Sequence, residues 1–438
     1  MAAFPRVDGY RGIWYTLGQP CEYGDKYSGG LGTYTAKHVP TAWHAAEAGK
    51  TFFVYGGSRG GETYLLNMVS YYDHERGVVP QPVVVHDKGG VDDPHDNSSI
   101  SVTPDGHVWV FVAGRANARP GFKYRSVKPY EIDEFELVEE QKEMAYPQPW
   151  YLKGEGFCHL FTKYTGLREL YWSRSDEAGR VWTPHRKLAG IEGHYQTSRL
   201  RDGRIITAFN RHIGQAADGR TDLYFLQTDD MGETWRTLDG TAIDPPLTEA
   251  DNPARVRAFS DEGLKVYMKD IDFDADGQPV VLVVTSRAFE PGPGGDPRTW
   301  TICHGTADGW RFHEVTRSTH NYDMGSLYCE ADGTWRIIAP TEPGPQHWGT
   351  GGEMAVWTSS NRGETWTRLR QITRDSERNH AYARRPVNAH PDFYAFWADG
   401  NPDEHSPSYL YFTNRDGTNV RRLPYDMTDD FQTPESVE

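Results

Sequence analysis

The sequence has little of several features that mark familiar classes of protein. Four cysteines are spread over 438 residues, and they form neither a CxxC pair nor a spacing typical of a zinc site. We therefore expect Cys21, Cys158, Cys303 and Cys329 to be buried free thiols. No apolar run approaches the roughly 18 residues that a membrane-spanning helix needs, so we expect no membrane association.

Basic charge is also scarce. The chain carries 46 Lys and Arg against 62 Asp and Glu, a net charge of −16. Nucleic-acid-binding domains normally present a basic face, so this balance argues against a nucleic-acid partner. An anionic substrate would need a local basic pocket. The first residues lack a charged leader followed by an apolar core, so we expect an intracellular protein or one whose signal peptide was removed.

Aromatic residues and turn formers are abundant instead. The chain has 14 Trp, 25 Tyr and 18 Phe, together with 45 Gly and 28 Pro. Short β-rich runs such as 107–112 and 280–284 are bounded by Gly, Pro or Asp, which favours many short strands. Residues 133–144 have a charged, helix-like composition, and we predict a short excursion or a polar loop there.

An internal repeat is the clearest pattern in the chain. Residues 228–235 (TDDMGETW) and 359–366 (SSNRGETW) are close copies, 175–182 is a third and 413–420 a weaker fourth. A shorter echo ends at Trp310, and the distances from residue 182 to 235, from 310 to 366 and from 366 to 420 are 53, 56 and 54 residues. A period near 55 residues fits one four-stranded propeller blade. We predict an all-β, seven-bladed β-propeller of four-stranded antiparallel blades, a single domain over 1–438 whose tail frays after about residue 425.

The repeated unit itself is predicted to be structural. Its Asp or Asn side chain can accept hydrogen bonds from backbone N–H groups of the turn, and its Gly supplies a positive φ. The Trp that follows would pack between sheets. Functional residues are therefore expected elsewhere, where strand ends and loops meet the central channel.

The first polar cluster is 92–97 (DDPHDN). His95 can exchange a proton near neutral pH, and the Asn97 amide can donate to a carboxylate or hydroxyl. Arg115 ends the next strand and could point to the same place. The alternative is an Asx turn that leads into a strand.

The second cluster is 193–198 (GHYQTS). Strand alternation would place His194 and Gln196 on one face and Tyr195 on the other. A third cluster contains Asn210 and Arg220, and the guanidinium of Arg220 suits a carboxylate. A structural salt bridge of Arg220 with Asp218 or Asp222 is the alternative.

Other histidines are candidates for catalysis or for metal binding. His38 follows a glycine-rich segment and is either catalytic or a satisfied inner-strand histidine. His320, His380 and His390 could meet in the channel and hold a divalent cation such as calcium, although none has classical zinc spacing. The chain has no Walker or HExxH motif.

Several of these segments resemble the BNR-repeat family of bacterial and fungal seven-bladed propellers. The motifs that carry the resemblance are 9–14 (GYRGIW), 29–34 (GGLGTY), 95–97 (HDN), 193–196 (GHYQ), 220–224 (RTDLY), 320–323 (HNYD) and 390–397 (HPDFYAFW). The family includes ulvan lyases and enzymes that release L-rhamnose from α-1,4-linked D-glucuronate. The resemblance spans about residues 8 to 420 and implies a lyase or glycosidase for a uronate-containing plant or algal glycan.

The resemblance also implies residue roles. His95 and Asn97 match the family's His-Asp-Asn stretch, whereas Arg115 stands where some ulvan lyases have a second histidine, which argues against ulvan itself. His38 matches the position that a rhamnosidase assigns to its catalytic histidine, on the opposite face of the propeller. Some relatives hold a divalent ion in the channel; otherwise no cofactor is expected.

β-Elimination at the uronate is our first hypothesis. Arg220, Arg115 and Asn97 would neutralise the carboxylate as the enolate forms. Tyr195 or His95 would be the base, and the other one, or His194, the acid. Gln196 and Asn210 are expected to bind substrate.

Two other hypotheses stay open. Hydrolysis usually needs two carboxyl groups that flank the scissile bond, and no convincing pair is visible, so an α-L-rhamnosidase would depend on His38. A non-catalytic glycan-binding propeller is the third. In each case we expect a monomer.

Overall fold

Seven antiparallel sheets carry most of the regular structure, and each is built from strands that are consecutive in the chain. The computed structural model describes residues 4–30, 32–60, 62, 64–404 and 406–437. Antiparallel strands need only short hairpins between them, which the abundant Gly and Pro supply. The first strands of blades 1 to 6 contact one another in succession around the centre, and the first strand of blade 7 contacts the second strand of blade 6. The predicted seven-bladed propeller is therefore confirmed.

The first four blades differ mainly in their outer strands. Blade 1 comprises Ala42–Ala45, Lys50–Gly57, Leu66–Asp73 and Val83–Asp87. Blade 2 comprises Ser98–Val102, Val108–Val112, Gly121–Ser126 and Phe135–Gln141. Blade 3 comprises Ala145–Leu152, Gly156–Tyr164, Arg168–Arg174 and Arg186–Ala189. Blade 4 comprises Gln196–Arg201, Arg204–His212, Arg220–Thr228, Trp235–Arg236, Ala242–Ile243 and a side strand, Arg255–Arg257.

The other three blades complete the ring. Blade 5 comprises Lys265–Phe273, Pro279–Ser286, Arg298–Thr306 and Gly309–Ser318. Blade 6 comprises Ser326–Cys329, Trp335–Glu342, Glu353–Ser359 and Thr367–Gln371. Blade 7 comprises Asn379–Arg384, Ala395–Gly400, Leu410–Thr413, Val420–Arg422 and Glu435–Val437.

Small elements lie outside the blades. Three two-stranded pairs are Trp14–Thr16 with Ser28–Gly30, Pro20–Cys21 with Gly24–Asp25, and Val79–Pro80 with Phe431–Gln432. Six short 3-10 turns are Ala46–Ala48, Pro94–Asp96, Ile213–Gln215, Ala217–Gly219, Phe259–Glu262 and Pro293–Gly295. No helix in the described part of the chain is long and apolar enough to cross a membrane.

The hydrophobic core lies between neighbouring blades. Val54 of blade 1 and Val110 of blade 2 belong to one buried cluster, and Trp172 of blade 3 packs in another with Phe209 of blade 4. Alternate residues of each strand point to opposite faces, so one blade buries apolar side chains against both neighbours. This explains why 37% hydrophobic content suffices for a chain of this size.

The repeated unit joins the third and fourth strands of a blade. In blade 4 the Gly232 N–H donates to the Thr228 hydroxyl (2.9 Å), and the Thr234 N–H donates to the Asp230 carboxylate (2.8 Å). Gly232 has a φ of +82°, which favours glycine. The Trp235 side chain is buried. The predicted structural role of the repeat agrees with this turn.

Two segments differ from the sequence-based expectation. Residues 135–141, within the predicted polar loop, form the outer strand of blade 2, where Phe135 is buried and Glu136 and Glu139 pair with Arg125 and Lys123 of the neighbouring strand. The tail does not fray in the structure: Glu435–Val437 pairs with Val420–Arg422, and Phe431–Gln432 pairs with Val79–Pro80. The four cysteines are free, and Cys158 and Cys303 are buried.

The ring closes where blade 7 meets blade 1. The His44 N–H donates to the Val387 carbonyl (2.9 Å), and the Val387 N–H donates to the Ala42 carbonyl (2.9 Å). The rings of Phe53 and Phe396 also meet across this junction, with centroids 5.1 Å apart. Backbone pairing and aromatic packing therefore hold the first and last blades together.

Candidate active site

A cavity of about 300 Å³ opens on the face of the propeller where the innermost strands begin. Each blade supplies one ring near the start of its innermost strand, and all seven line the cavity: Tyr34, His95, Tyr146, Tyr195, Tyr267, Tyr322 and Tyr382. The strands converge at the channel, so residues far apart in sequence meet at one place. The pocket is thus built by the ring as a whole.

Backbone irregularities orient two of these rings in the cavity wall. Tyr146 and Tyr382 have φ values of +53° and +56°, which bulky residues rarely adopt. Each lies at a register shift in the first strand of its blade, between Ala145 and Gln148 and between Ala381 and Arg384. A bulge of this kind bends a strand and redirects a side chain. Such strain is typical of binding and catalytic sites.

Four cations line the same pocket: Lys37, Arg115, Arg168 and Arg220. The Arg220 guanidinium carbon lies 4.9 Å from the Tyr195 ring centroid and 4.6 Å from that of Tyr267. The pocket therefore concentrates positive charge in a chain whose net charge is −16. An enclosed cluster of this sign attracts anionic groups.

The arginines perturb one tyrosine in particular. Burial alone would raise the pKa of the Tyr195 phenol, yet nearby Arg168, Arg220 and Arg115 outweigh it and lower that pKa below its usual value. The other tyrosines of the ring have raised pKa values because burial dominates there, as at Tyr267 and Tyr322. Tyr195 is thus the most acidic phenol of the ring and a candidate proton donor.

His95 is oriented by a carboxylate. Its Nδ1 lies 2.6 Å from the Asp93 carboxylate, and its Nε2 lies 3.1 Å from the Tyr34 hydroxyl. An Nδ1–H that donates to Asp93 leaves the Nε2 lone pair directed at the pocket side. Burial lowers the pKa of His95 below its usual value, although Asp93 opposes the shift, so the imidazole is neutral near pH 7. A neutral, oriented imidazole is suited to act as a base.

Lys37 adds a second perturbed group to the pocket wall. Burial, together with the charges of Arg220 and Arg384, lowers the pKa of Lys37 to about 7. Its ammonium donates to the Met268 carbonyl (2.8 Å). Lys37 therefore titrates near neutral pH, within reach of a bound anion.

Residues 67–341 match the model of the BNR repeat-containing family. The chain belongs to the BNR repeat-containing family. No curated protein matches it in a sequence comparison.

Solved structures show the same propeller as this BNR-repeat protein. An ulvan lyase of polysaccharide lyase family PL25, bound to -[GlcA(1-4)Rha3S]-, superposes with a TM-score of 0.71 at 15% identity, covering 95% of this chain and 96% of its own. A second structure of a PL25 ulvan lyase gives 0.72 with the same identity and coverage. The polysaccharide lyase Uly1 gives 0.65 at 13% identity, covering 93% of this chain and 97% of its own. At such identities the likeness establishes the fold.

The structure of this BNR-repeat protein brings five predicted residues to the pocket wall: His95, Tyr195, Arg220, Arg115 and Asn210. Asn210 serves the protein itself, because its oxygen accepts the Tyr195 N–H (2.9 Å) and its amide donates to the Val266 carbonyl (3.2 Å). It is therefore a positioning residue for Tyr195.

The salt bridge considered for Arg220 is not the one found. Asp218 pairs with Lys26 (2.7 Å) and Asp222 with Arg211 (3.0 Å). The Arg220 guanidinium donates instead to the Ala217 carbonyl and to the Tyr27 hydroxyl. Its charge thus remains available to a ligand.

Three other predicted residues lie behind the wall. His194 is fully buried, its Nδ1 donates to the Asn210 carbonyl (2.7 Å), and its Nε2 accepts the Ile191 N–H (2.8 Å). It has no nitrogen left for substrate, which corrects its assignment as an acid. Gln196 is buried beside Thr207. The Asn97 amide donates to the Tyr34 carbonyl (2.6 Å) and so positions Tyr34.

His38 also differs from its expected place. It is fully buried, and its ring stacks on Tyr146 with centroids 5.7 Å apart. It therefore supports the pocket from behind and does not serve a site on the opposite face. Burial lowers its pKa well below the usual value.

The predicted histidine trio for a channel cation is not assembled. His320 Nδ1 accepts the Tyr322 N–H (3.1 Å), and both nitrogens of His380 are engaged, by Trp397 (2.9 Å) and by Ser376 (3.0 Å). His390 lies elsewhere, beside His74. The three imidazoles consequently do not fit a shared calcium or other ion.

Sequence reasoning missed Tyr146 and Arg168 in this BNR-repeat protein. A signal existed for the tyrosine: one Tyr recurs close to the start of the innermost strand in nearly every repeat, as at Tyr34, Tyr195 and Tyr267. Arg168 starts the third strand of blade 3 and lies near Tyr195 only in the folded ring, 5.7 Å from its centroid. No local pattern indicates it.

Proposed function

We propose that this protein is a polysaccharide lyase that cleaves a 4-linked uronate by β-elimination. The observation that carries the proposal is the meeting of an oriented neutral His95, an acidified Tyr195 and three arginines in one pocket. Elimination needs these parts: a base for the C5 proton, charge neutralisation for the carboxylate, and an acid for the leaving oxygen. The lyases among the structures of the same fold are consistent with it.

His95 is assigned as the base. When substrate enters, the Tyr34 hydroxyl turns away from Nε2 and that nitrogen takes the C5 proton. The imidazolium that results is stabilised by the Asp93 carboxylate, which Arg119 holds in place through a 3.0 Å ion pair. The electron pair of the broken C5–H bond forms the C4–C5 double bond and expels the O4 leaving group.

Tyr195 is assigned as the acid, and its O–H proton passes to O4. The guanidiniums of Arg115, Arg168 and Arg220 stabilise both the phenolate left on Tyr195 and the enolate that develops on the uronate. The products are a new hydroxyl end and an unsaturated uronate. His95 returns its proton to solvent or to Tyr195 before the next turnover.

The finer substrate is proposed to be the L-rhamnose-α-1,4-D-glucuronate linkage of a plant or algal glycan. Motif resemblance to rhamnose–glucuronate enzymes supports this linkage, and Arg115 in place of a second histidine argues against ulvan. Hydrolysis has less support, because Asp218 is the one carboxylate on the wall in the described part of the chain and Lys26 already pairs with it.

The test is incubation with a rhamnose-capped glucuronate glycan such as gum arabic. We expect released rhamnose together with ultraviolet absorbance from the unsaturated uronate. Rhamnose without absorbance would mean hydrolysis, and binding without either product would favour a glycan-binding propeller.

Single variants then test the roles. His95→Ala and Tyr195→Phe should each lower kcat/KM by about 10²- to 10⁴-fold, the usual contribution of a general base or acid. Tyr71→Phe, a half-buried tyrosine in blade 1, is the matched control and should keep full activity. Full activity in Tyr195→Phe would remove Tyr195 from the mechanism.

A further inference from the structure

Three histidines from the first and last blades meet on the face opposite the pocket. His44 lies near the end of the innermost strand of blade 1, His74 follows the third strand of that blade, and His390 lies in a loop of blade 7. Their ring centroids are 5.1 Å (His44–His74), 5.0 Å (His44–His390) and 3.9 Å (His74–His390) apart. The proposed elimination uses none of them.

The hydrogen bonds around His74 leave one nitrogen free. The Thr51 hydroxyl lies 2.8 Å from His74 Nε2 and 3.2 Å from His44 Nδ1. His74 Nδ1 is buried and has no hydrogen-bond partner in the described part of the chain. Leaving a buried polar atom without a hydrogen-bond partner costs about 1–3 kcal/mol. A ligand bound to His74 Nδ1 would remove this cost.

A carboxylate completes the group. Asp392 is exposed, and its carboxylate oxygen lies 3.9 Å from His390 Nδ1. That nitrogen accepts the Asp392 N–H (3.1 Å), so a metal ion would bind His390 through Nε2 or take the place of this bond. One ligand atom each from His74, His390 and Asp392 all lie within 4.8 Å of one another. Ligand atoms around tetrahedral zinc lie about 3.3 Å apart, so side-chain shifts of about an ångström would close the site. The mobility of an exposed Asp392 side chain makes such a shift inexpensive.

We propose that His74, His390 and Asp392 bind one divalent transition-metal ion, best matched by zinc, which joins the last blade to the first. Imidazole and carboxylate ligands select zinc, whereas calcium prefers oxygen ligands alone. Thr51 holds the remote nitrogen of His74 and links it to His44, the arrangement that orients metal-binding histidines. Bound metal would stabilise the closure of the ring.

Zinc binding is tested on the full chain after treatment with a chelator and dialysis. Calorimetric titration with ZnCl2 should show one site per chain in the micromolar range or tighter. Saturating zinc should raise Tm, because an ion that binds only the folded state stabilises it by mass action. CaCl2 at the same concentration should leave Tm unchanged.

Variants distinguish this site from adventitious binding. His390→Gln should weaken zinc binding by at least about 100-fold, and Asp392→Asn by about 10-fold. The second variant lies at an exposed position, so its fold is not at risk. His313→Gln, a partly exposed histidine of blade 5, should bind zinc as wild type does. The proposal would be overturned if wild type did not bind zinc, or if both site variants bound zinc as tightly as wild type. Neither result would bear on the proposed elimination reaction.

Discussion

At the residue scale, the proposed chemistry depends on how the residues around Tyr195 shift the pKa of its phenol. Its phenol lies against the ring of Tyr146, with centroids 5.6 Å apart, and burial by itself disfavours the phenolate. Three guanidiniums reverse that effect, so the same side chain is both desolvated and acidified. An acid with a lowered pKa transfers its proton to a leaving alkoxide more readily.

The pH dependence of kcat/KM follows from these shifts. His95 must be neutral to accept a proton, and its pKa lies below 6.5, so the rate should rise with pH along an acid limb below 6.5. Tyr195 must be protonated, and its pKa lies below 10, so the rate should fall along an alkaline limb below pH 10. The expected profile is therefore bell-shaped, with both limbs below these two limits. A rate that keeps rising to pH 10 would contradict Tyr195 as the acid.

Arg168→Met tests the tuning itself. Without this guanidinium the pKa of Tyr195 rises, so the alkaline limb should move to higher pH while kcat/KM falls. Arg125→Met, which removes an ion pair in the outer part of blade 2, is the control. An unchanged alkaline limb in Arg168→Met would show that Arg168 does not set the acidity of Tyr195.

At the element scale, the repeated turn fastens one blade to the previous one. A Cβ on Gly232 would lie 2.5 Å from Trp172 Nε1 of blade 3, and one on Gly179 would lie 2.5 Å from the Trp109 ring of blade 2. Glycine is therefore required here for space as well as for its positive φ. The repeat acts as a connector between blades and not as a ligand site.

A comparison of two glycines in blade 4 distinguishes the need for space from the need for a positive φ. Gly232 and Gly240 have similar φ values, +82° and +86°, but only open space surrounds the Cβ position of Gly240. Gly240→Ala should cost about 1 kcal/mol of unfolding free energy from backbone strain, and Gly232→Ala about 1–3 kcal/mol more from crowding. Urea denaturation measures both. Equal costs would mean that the Trp172 contact relaxes freely.

At the scale of the whole molecule, the ends of the chain take part in closing the ring. Phe431–Gln432 pairs with a strand next to blade 1, and Glu435–Val437 extends blade 7. Arg422 and Glu435 form an ion pair across this last edge. The terminal segment thus bridges the two blades that the closure must join.

Removal of residues 431–438 should lower the free energy of unfolding by roughly 1–3 kcal/mol, as expected for the loss of a few cross-strand pairs. The pocket lies on other elements, so the specific activity at low temperature should persist. Glu435→Gln, which removes only the ion pair, should change stability by less than about 1 kcal/mol. An unchanged Tm after truncation would restore the expectation of a frayed tail.

The pocket shows where local patterns stop being informative. His95 was recognisable because a histidine between acidic turns is a poor choice for a core, and Arg220 because its fork suits a carboxylate. His194 looked equally polar, yet its two nitrogens bond to backbone groups. Only the three-dimensional course of the chain separates these cases.

The sequence by itself determined the architecture, because the fold follows from periodic, local information. The repeated turn, its spacing near 55 residues and the short aromatic strands are sufficient to specify blades and their number. The tertiary structure decided how the site is assembled, since it brings Arg168 together with the predicted Arg115 and Arg220 around Tyr195 from three different blades or blade connections. The effect of these charges on the pKa of Tyr195 depends on distances through space. Local sequence patterns do not determine the distances between residues of different blades.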